Sequence, residues 1–202
     1  MAPTAVLSVL VFIAYPVWVH VAVVMGLPMW GAVALPAFYL AQRLLSVDSW
    51  RLPLTDWIIF AVLTAAVGVG WSFGRYTVIY VPPVVITGMI FLAFARTLIG
   101  EGPPLATRLA RAMGGTTPEV ERYTRRVTWV WTLLLGAMLA ETIVLPAVAS
   151  DAVWSLFCNL LNYIAIAGFM IGELVYRKTR FQRPYTLAGF IRRMARTDFK
   201  NV

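Results

Sequence analysis

The sequence predicts an all-α fold: a polytopic integral membrane protein with six transmembrane helices and short amphipathic helices on its cytoplasmic side. Three observations carry that prediction. Hydrophobic residues make up 60% of the 202-residue chain and charged residues 13%, against about 25% charged in soluble domains. The apolar residues gather into six runs, at roughly 5–25, 29–45, 56–72, 76–98, 126–149 and 153–176, each near the ~20 residues that cross a hydrocarbon core. The third observation is where the charge sits. Of 17 Lys and Arg residues, only Arg75 falls outside three clusters: Arg43 and Arg51, Arg96 to Arg126, and Arg177 to Lys200. Short loops rich in Lys and Arg stay cytoplasmic, and an even number of spans separates each pair of clusters. Both termini are therefore expected on the cytoplasmic side.

Few residues remain outside the runs, so 1–202 is read as a single membrane domain with a cytoplasmic loop at 99–125 and a basic tail at 177–202. A net charge of +8 would suggest nucleic acid in a soluble protein. Here the positive-inside bias and attraction to anionic lipid headgroups account for it, so membrane lipids are the expected partners and nucleic acid is not. A lone cysteine, Cys158, and a lone histidine, His20, argue against a disulfide and against a Cys- or His-based metal centre.

The first run lacks the basic n-region of a signal peptide and reads as a retained span. Only Gly26-Leu27-Pro28 connects it to the second run, which predicts a tight helical hairpin; a single re-entrant hairpin over 5–45 is the alternative. Runs two and three hold about 17 residues each, near the lower limit for crossing. In run four, Pro82-Pro83 removes backbone hydrogen bonds and predicts a kink. In the 4–5 loop, Pro103-Pro104 opens a short helix, LATRLARAM, closed by Gly114-Gly115. Leu105, Leu109 and Met113 recur at four-residue spacing beside Arg108 and Arg111, the pattern of a helix lying on the membrane surface.

Thr117 as N-cap, Pro118 at the first helical position and acids in the first turn then start a further helix. It is expected to run unbroken through EVERYTRRVTWVW into run five. The tail carries a second basic amphipathic stretch, TLAGFIRRMAR, with Leu187, Phe190, Ile191 and Met194 on one face. Trp30, Trp50, Trp57, Trp71, Trp129 and Trp154 fall near run ends, as an aromatic belt requires.

Ionisable groups inside apolar runs are costly and mark candidate sites. Glu141, in the outer half of run five, has no local partner; a bundle-facing carboxylate bonded to a Thr or Trp and a proton or substrate site both remain open. Glu173, near the inner end of run six, precedes Arg177 by one turn and reads first as an i,i+4 ion pair. Asn159 and Asn162 share a helical face with it at three- and four-residue spacing, as interhelical glue or as the lining of a cavity. These four form the candidate intramembrane polar site. Ala165, Gly168 and Gly172 give the same helix a small-residue packing face.

On the cytoplasmic side, Arg96, Arg108, Arg111, Arg125, Arg126 and Trp129 are the candidate lipid- or partner-binding residues. Arginine offers bidentate geometry to phosphate and carboxylate groups, and ordinary positive-inside anchoring accounts for the same charges. His20 is expected to be a hydrogen-bonded packing histidine or an interfacial one rather than a catalytic base. Nothing resembles a nucleophile elbow, a phosphate loop or H-E-x-x-H. No catalytic residue, metal ligand or cofactor site is assigned.

Five stretches, RYTVIYVPPVV, FARTLIGEGPPLATRLAR, RYTRRVTWVW, WSLFCNLLNY and GELVYRKTRF, span Arg75 to Phe181. In that order they resemble a family of small bacterial inner-membrane proteins whose genes often accompany the ketosynthase and acyl-carrier genes of aryl polyene pigment pathways. More distantly, the tryptophan opening run five, WSLFCN and the basic exit of run six are similar to the intracellular septation protein A family. The resemblance implies a bacterial inner-membrane, envelope-associated protein for which no reaction is established. An acyl carrier protein or another membrane subunit becomes a conceivable partner. If the family pattern marks a site, it falls on Arg96, Arg108, Arg125, Arg126, Trp129, Asn159 and Glu173. The expected role is a non-enzymatic accessory or scaffold in cell-envelope or acyl-lipid and polyene assembly, binding lipid or an acyl chain at its basic face. A small transporter or lipid-handling enzyme using the polar site, and a subunit of a larger membrane complex, are the alternatives.

Overall fold

The computed structural model describes residues 3–46, 52–73, 77–112 and 117–181. Trp50, Arg51, Arg75, Met113, Gly114, Gly115 and the amphipathic stretch of the tail lie outside the described residues. All the regular elements described are helical: α1 (Pro3–Val24), α2 (Pro28–Ser46), α3 (Leu54–Ser72), a 3-10 turn (Thr77–Tyr80), α4 (Val81–Ile99), α5 (Leu105–Ala112), α6 (Pro118–Val148) and α7 (Asp151–Leu156). A π-helical segment (Phe157–Leu161) then leads from α7 into α8 (Asn162–Phe181). Among the described residues, four helices are long and apolar enough to cross a membrane: Leu54–Ser72, Val78–Ile99, Pro118–Val148 and Asp151–Phe181.

The chain divides into two compact units, and each draws on separate parts of the sequence. The first comprises Met1–Val84 and Thr142–Tyr163; the second comprises Val85–Glu141 and Ile164–Val202. The chain passes from one to the other within α4, α6 and α8.

In the first unit, α1 and α2 form the hairpin that the Gly-Leu-Pro connection predicts. Gly26 adopts φ +73°, and Leu27 N–H reaches back to the Ala22 carbonyl at 2.8 Å while Gly26 N–H reaches Val23 at 3.0 Å. That pair of bonds is a Schellman motif, which satisfies the last carbonyls of α1 and needs a residue tolerant of left-handed backbone. At 22 and 19 residues, α1 and α2 are ~33 and ~29 Å long. Their seam is made of small and β-branched residues: Val19, Val23 and Ala32 are buried together with Val67, Ile79, Trp154 and Cys158.

A second fastening ties α2 to α3. Arg43, in the last turn of α2, donates from Nε and Nη2 to both oxygens of Asp56 at 2.9 and 3.0 Å, and the Tyr39 hydroxyl donates to Asp56 Oδ1 at 2.9 Å. A buried carboxylate requires such partners.

Pro82-Pro83, the expected kink site, opens a helix rather than interrupting one. Both prolines fall in the first turn of α4, directly after the 3-10 turn. There the missing N–H groups have no intrahelical acceptor to lose. The prolines inside helices are instead Pro16, Pro36 and Pro146.

In the second unit, α6 packs against α4 and α8. Trp131 lies 5.8 Å from Phe94 and edge-on to Phe169 at 4.8 Å. A Cβ on Gly136 would come within 3.2 Å of the Phe91 ring, so the absent side chain permits that approach. At 31 residues, α6 is ~46 Å long, well beyond the ~30 Å hydrocarbon core. The excess lies at its start, where the charged residues Glu119, Glu121, Arg122, Arg125 and Arg126 are found.

The eight-residue α5 is too short to stand alone, and Pro103-Pro104 gives it no side-chain cap. Its orphan donors are satisfied from neighbouring helices. Leu105 N–H bonds to Thr97 Oγ1 of α4 at 3.0 Å, and Ala106 N–H bonds to Thr128 Oγ1 of α6 at 3.3 Å. The hydroxyls of Thr107 and Thr124 share a further bond at 2.7 Å. The buried face of α5 is thus Ala106 and Thr107, set on α6, with Leu105 and Leu109 only half-buried.

Candidate functional site

The most charged part of the described chain is the start of α6 and the end of α8, which meet within the second unit. Tyr123 is the hinge of this contact. Its ring stacks on Tyr176 at 5.3 Å, meets Phe181 edge-on at 5.4 Å and carries the Arg177 guanidinium 5.7 Å from its centroid. Its hydroxyl donates to Glu173 Oε1 at 3.3 Å. Glu173 and Arg177 form the i,i+4 pair expected from their spacing, with side chains only 12% and 14% exposed; Arg177 Nε faces Glu173 Oε1 without the alignment of a hydrogen bond.

Two further ion pairs surround it. Glu121 accepts from Arg111 of α5 at 2.7–2.8 Å, and Glu119 pairs with Arg180 of α8. The acids of this region are therefore each matched by a base from another turn or helix. No acid among the described residues pairs with Arg96, Arg122, Arg125 or Arg126.

The six residues singled out for lipid or partner binding separate accordingly. Arg111 is held by Glu121, and the half-buried Arg108 donates from Nε to the Pro103 carbonyl at 2.8 Å. Arg96 is exposed in the last turn of α4. Arg125, Arg126 and Trp129 lie exposed on α6, and Arg122 joins them; its Nε makes only a long 3.4 Å bond to the Pro118 carbonyl of its own helix.

The four residues of the intramembrane polar site divide between the two units. Asn159 and Asn162 belong to the first unit, Glu141 and Glu173 to the second. Glu173 bonds to Tyr123 of α6, and Glu141 lies 18 residues further along that helix, ~27 Å away at 1.5 Å per residue. The face shared by Asn159, Asn162 and Glu173 assumed a uniform helix. The π segment inserts an extra residue per turn at 157–161, which rotates everything after it by ~100° relative to what precedes it. Half-buried Glu141 has a buried Oε1 with no hydrogen-bond partner among the described residues.

What the first unit does assemble is a polar network that sequence reading left as separate residues. His20 Nδ1 of α1 lies 3.2 Å from Ser155 Oγ of α7, and Asn159 Nδ2 donates to the same oxygen at 3.0 Å. Ser155 Oγ thus accepts from Asn159 and shares a hydrogen bond with the His20 ring. Cys158 Sγ lies 3.5 Å from Thr142 Oγ1, and the Tyr80 hydroxyl donates to Asp151 at 2.7 Å. Ser155 is completely buried, so the pair works as an interhelical fastening between α1 and α7. Beside it Trp154, expected in an aromatic belt, is 0% exposed and edge-on to Tyr80 at 4.4 Å. Trp30, Trp57, Trp71 and Trp129 are half exposed, as belt residues are.

Among the described residues, no group of three or more His, Cys, Asp and Glu side chains is placed to hold a metal ion. Comparison with protein-family models, with curated proteins and with solved structures finds no match for this chain.

Proposed function

We propose that this protein is a non-enzymatic accessory or scaffold of a bacterial inner membrane, serving cell-envelope or acyl-lipid and polyene assembly, with a basic cytoplasmic face that engages anionic lipid or an acyl group. In this reading α1 and α2 also cross the bilayer, giving six spans with both termini inside. The resemblance of RYTVIYVPPVV through GELVYRKTRF to inner-membrane proteins of polyene pathways supports the setting. The observation that carries the binding role is the surplus of cations where α6 meets α8. Glu119, Glu121 and Glu173 are neutralised by Arg180, Arg111 and Arg177, leaving Arg122, Arg125 and Arg126 facing outward. Cations in that position attract the anionic inner leaflet. An acyl carrier protein or a second membrane subunit is the partner such a face would admit beside lipid.

One observation favours the alternative of a transporter or lipid-handling enzyme, the unpartnered oxygen of Glu141. Its ~27 Å separation from Glu173 along α6 weighs against a shared site.

The test is the composition of what the wild-type protein keeps on extraction in a mild detergent. Anionic glycerophospholipid enriched over its share of the bulk membrane, or a stoichiometric protein partner, is the expected result. Lipid in bulk proportions and no partner would contradict the proposal.

A further inference from the structure

We infer that the outward stripe of α6 is a site for one anionic glycerophospholipid, its phosphate between Arg122 and Arg126 beside Trp129, and one acyl chain along Leu133, Ala137 and Ala140. The inference rests on the proposed basic face and narrows it to one helix surface and one lipid class.

The six positions follow steps of four, three, four, four and three residues, which keep to one face of an α-helix. All six are exposed. Their order along the axis is cation, cation, indole, leucine, then two alanines. An interfacial lipid presents the same order: charged phosphate, ester-level boundary, hydrocarbon. Indoles favour that boundary. One leaflet is ~15 Å of hydrocarbon, half of a ~30 Å core, and ten residues of helix cover that depth. Starting from the boundary at Trp129, a chain in van der Waals contact therefore passes Leu133 and Ala137 and reaches the level of Ala140. Alanines there let the chain approach the helix backbone closely, as small residues do at membrane packing surfaces.

Charge selects the headgroup. Arg122 and Arg126 are i,i+4 neighbours, and like charges at that spacing repel. Neither has an acidic partner among the described residues. A phosphodiester between them removes the repulsion and matches guanidinium geometry. Arg125, exposed and adjacent, disfavours a headgroup that carries its own ammonium. The apolar track below Trp129 is what distinguishes a lipid from a free phosphate or an acidic protein surface.

The experiment is native mass spectrometry of the full chain in detergent, titrated with phosphatidylglycerol, phosphatidylcholine and inorganic phosphate. Phosphatidylglycerol is expected to bind at one site, more tightly than phosphatidylcholine. Arg122→Gln with Arg126→Gln weakens it by roughly tenfold per charge-assisted bond removed, whereas Lys178→Gln, on exposed α8 surface, leaves it unchanged. Ala137→Phe lowers lipid affinity without touching a charge. Equal binding of the two lipids, unchanged binding in the double Gln variant, full displacement by phosphate, or an acidic protein held through these arginines in place of lipid would each overturn the inference. If wild type binds phosphatidylglycerol and the Gln variant binds it equally, only this site fails. If wild type binds neither lipid nor partner, the basic-face reading fails with it.

Discussion

Replacing Trp154 with alanine should lower stability by about 3–5 kcal/mol, seen as a fall of roughly 10 °C in the unfolding temperature in detergent. Trp154 is fully buried in the core of the first unit with Val19, Val23, Ala32, Val67, Ile79 and Cys158, and its ring meets Tyr80 edge-on at 4.4 Å. Apolar burial drives little association between helices in a bilayer, so packing against these neighbours is the main contribution. Alanine would remove it at the point where α1, α3 and α7 share a core. Trp154→Phe separates packing from polarity. It keeps an aromatic ring in place and removes an indole N–H that has no partner among the described residues, an orphan that costs about 1–3 kcal/mol. The phenylalanine variant should therefore lie within about 1.5 kcal/mol of wild type. A Trp154→Ala variant as stable as one truncated at half-exposed Trp57 would contradict this role.

The second large effect is expected at Glu173. Its pair with Arg177 is nearly closed to solvent, and Tyr123 joins it from α6. Removing one partner of a buried ion pair leaves the other charge uncompensated, which costs about 3–5 kcal/mol. Glu173→Ala should show that loss. Replacing both members by apolar residues, Glu173→Leu with Arg177→Met, removes the orphaned charge and should recover most of the stability. Thermal unfolding of the two singles and the double completes the cycle. A double variant as unstable as the sum of the singles would mean that the carboxylate and guanidinium do not act as a pair.

These two sites differ in how far they could be read from sequence. The Glu173–Arg177 pair is local, one helical turn apart, and its spacing alone predicts it. The helix bounds were legible for a similar reason, since apolar runs and caps act within a few residues. Gly26 marks the α1–α2 turn, and Thr117-Pro118 marks the start of an α6 that does run unbroken through the charged segment into the apolar one. What escaped notice depends on distant partners. Asp56 carries no local sign of Arg43 and Tyr39, although an acid opening one span after a base closing the previous one is a usable signal. The threonines that cap α5 sit on α4 and α6, and only the missing cap at Pro103-Pro104 hinted that outside acceptors were needed. The π segment at 157–161 leaves no periodic trace in a mostly apolar run, yet it decides which residues share a face beyond it. Trp154 shows the limit of placing tryptophans by position: four residues into a helix after a turn, it could serve belt or core, and packing against Tyr80 decides.

The basic face has meaning only if the start of α6 and the end of α8 lie on the cytoplasmic side, and labelling of single cysteines tests that directly. In a Cys158→Ser background, Lys178→Cys and Ala152→Cys place thiols on exposed residues near the two ends of the apolar Asp151–Phe181 segment. A membrane-impermeant maleimide should modify Cys at 178 only in inverted membrane vesicles and Cys at 152 only in intact cells. The reverse pattern, or labelling of both from the same side, would contradict the account.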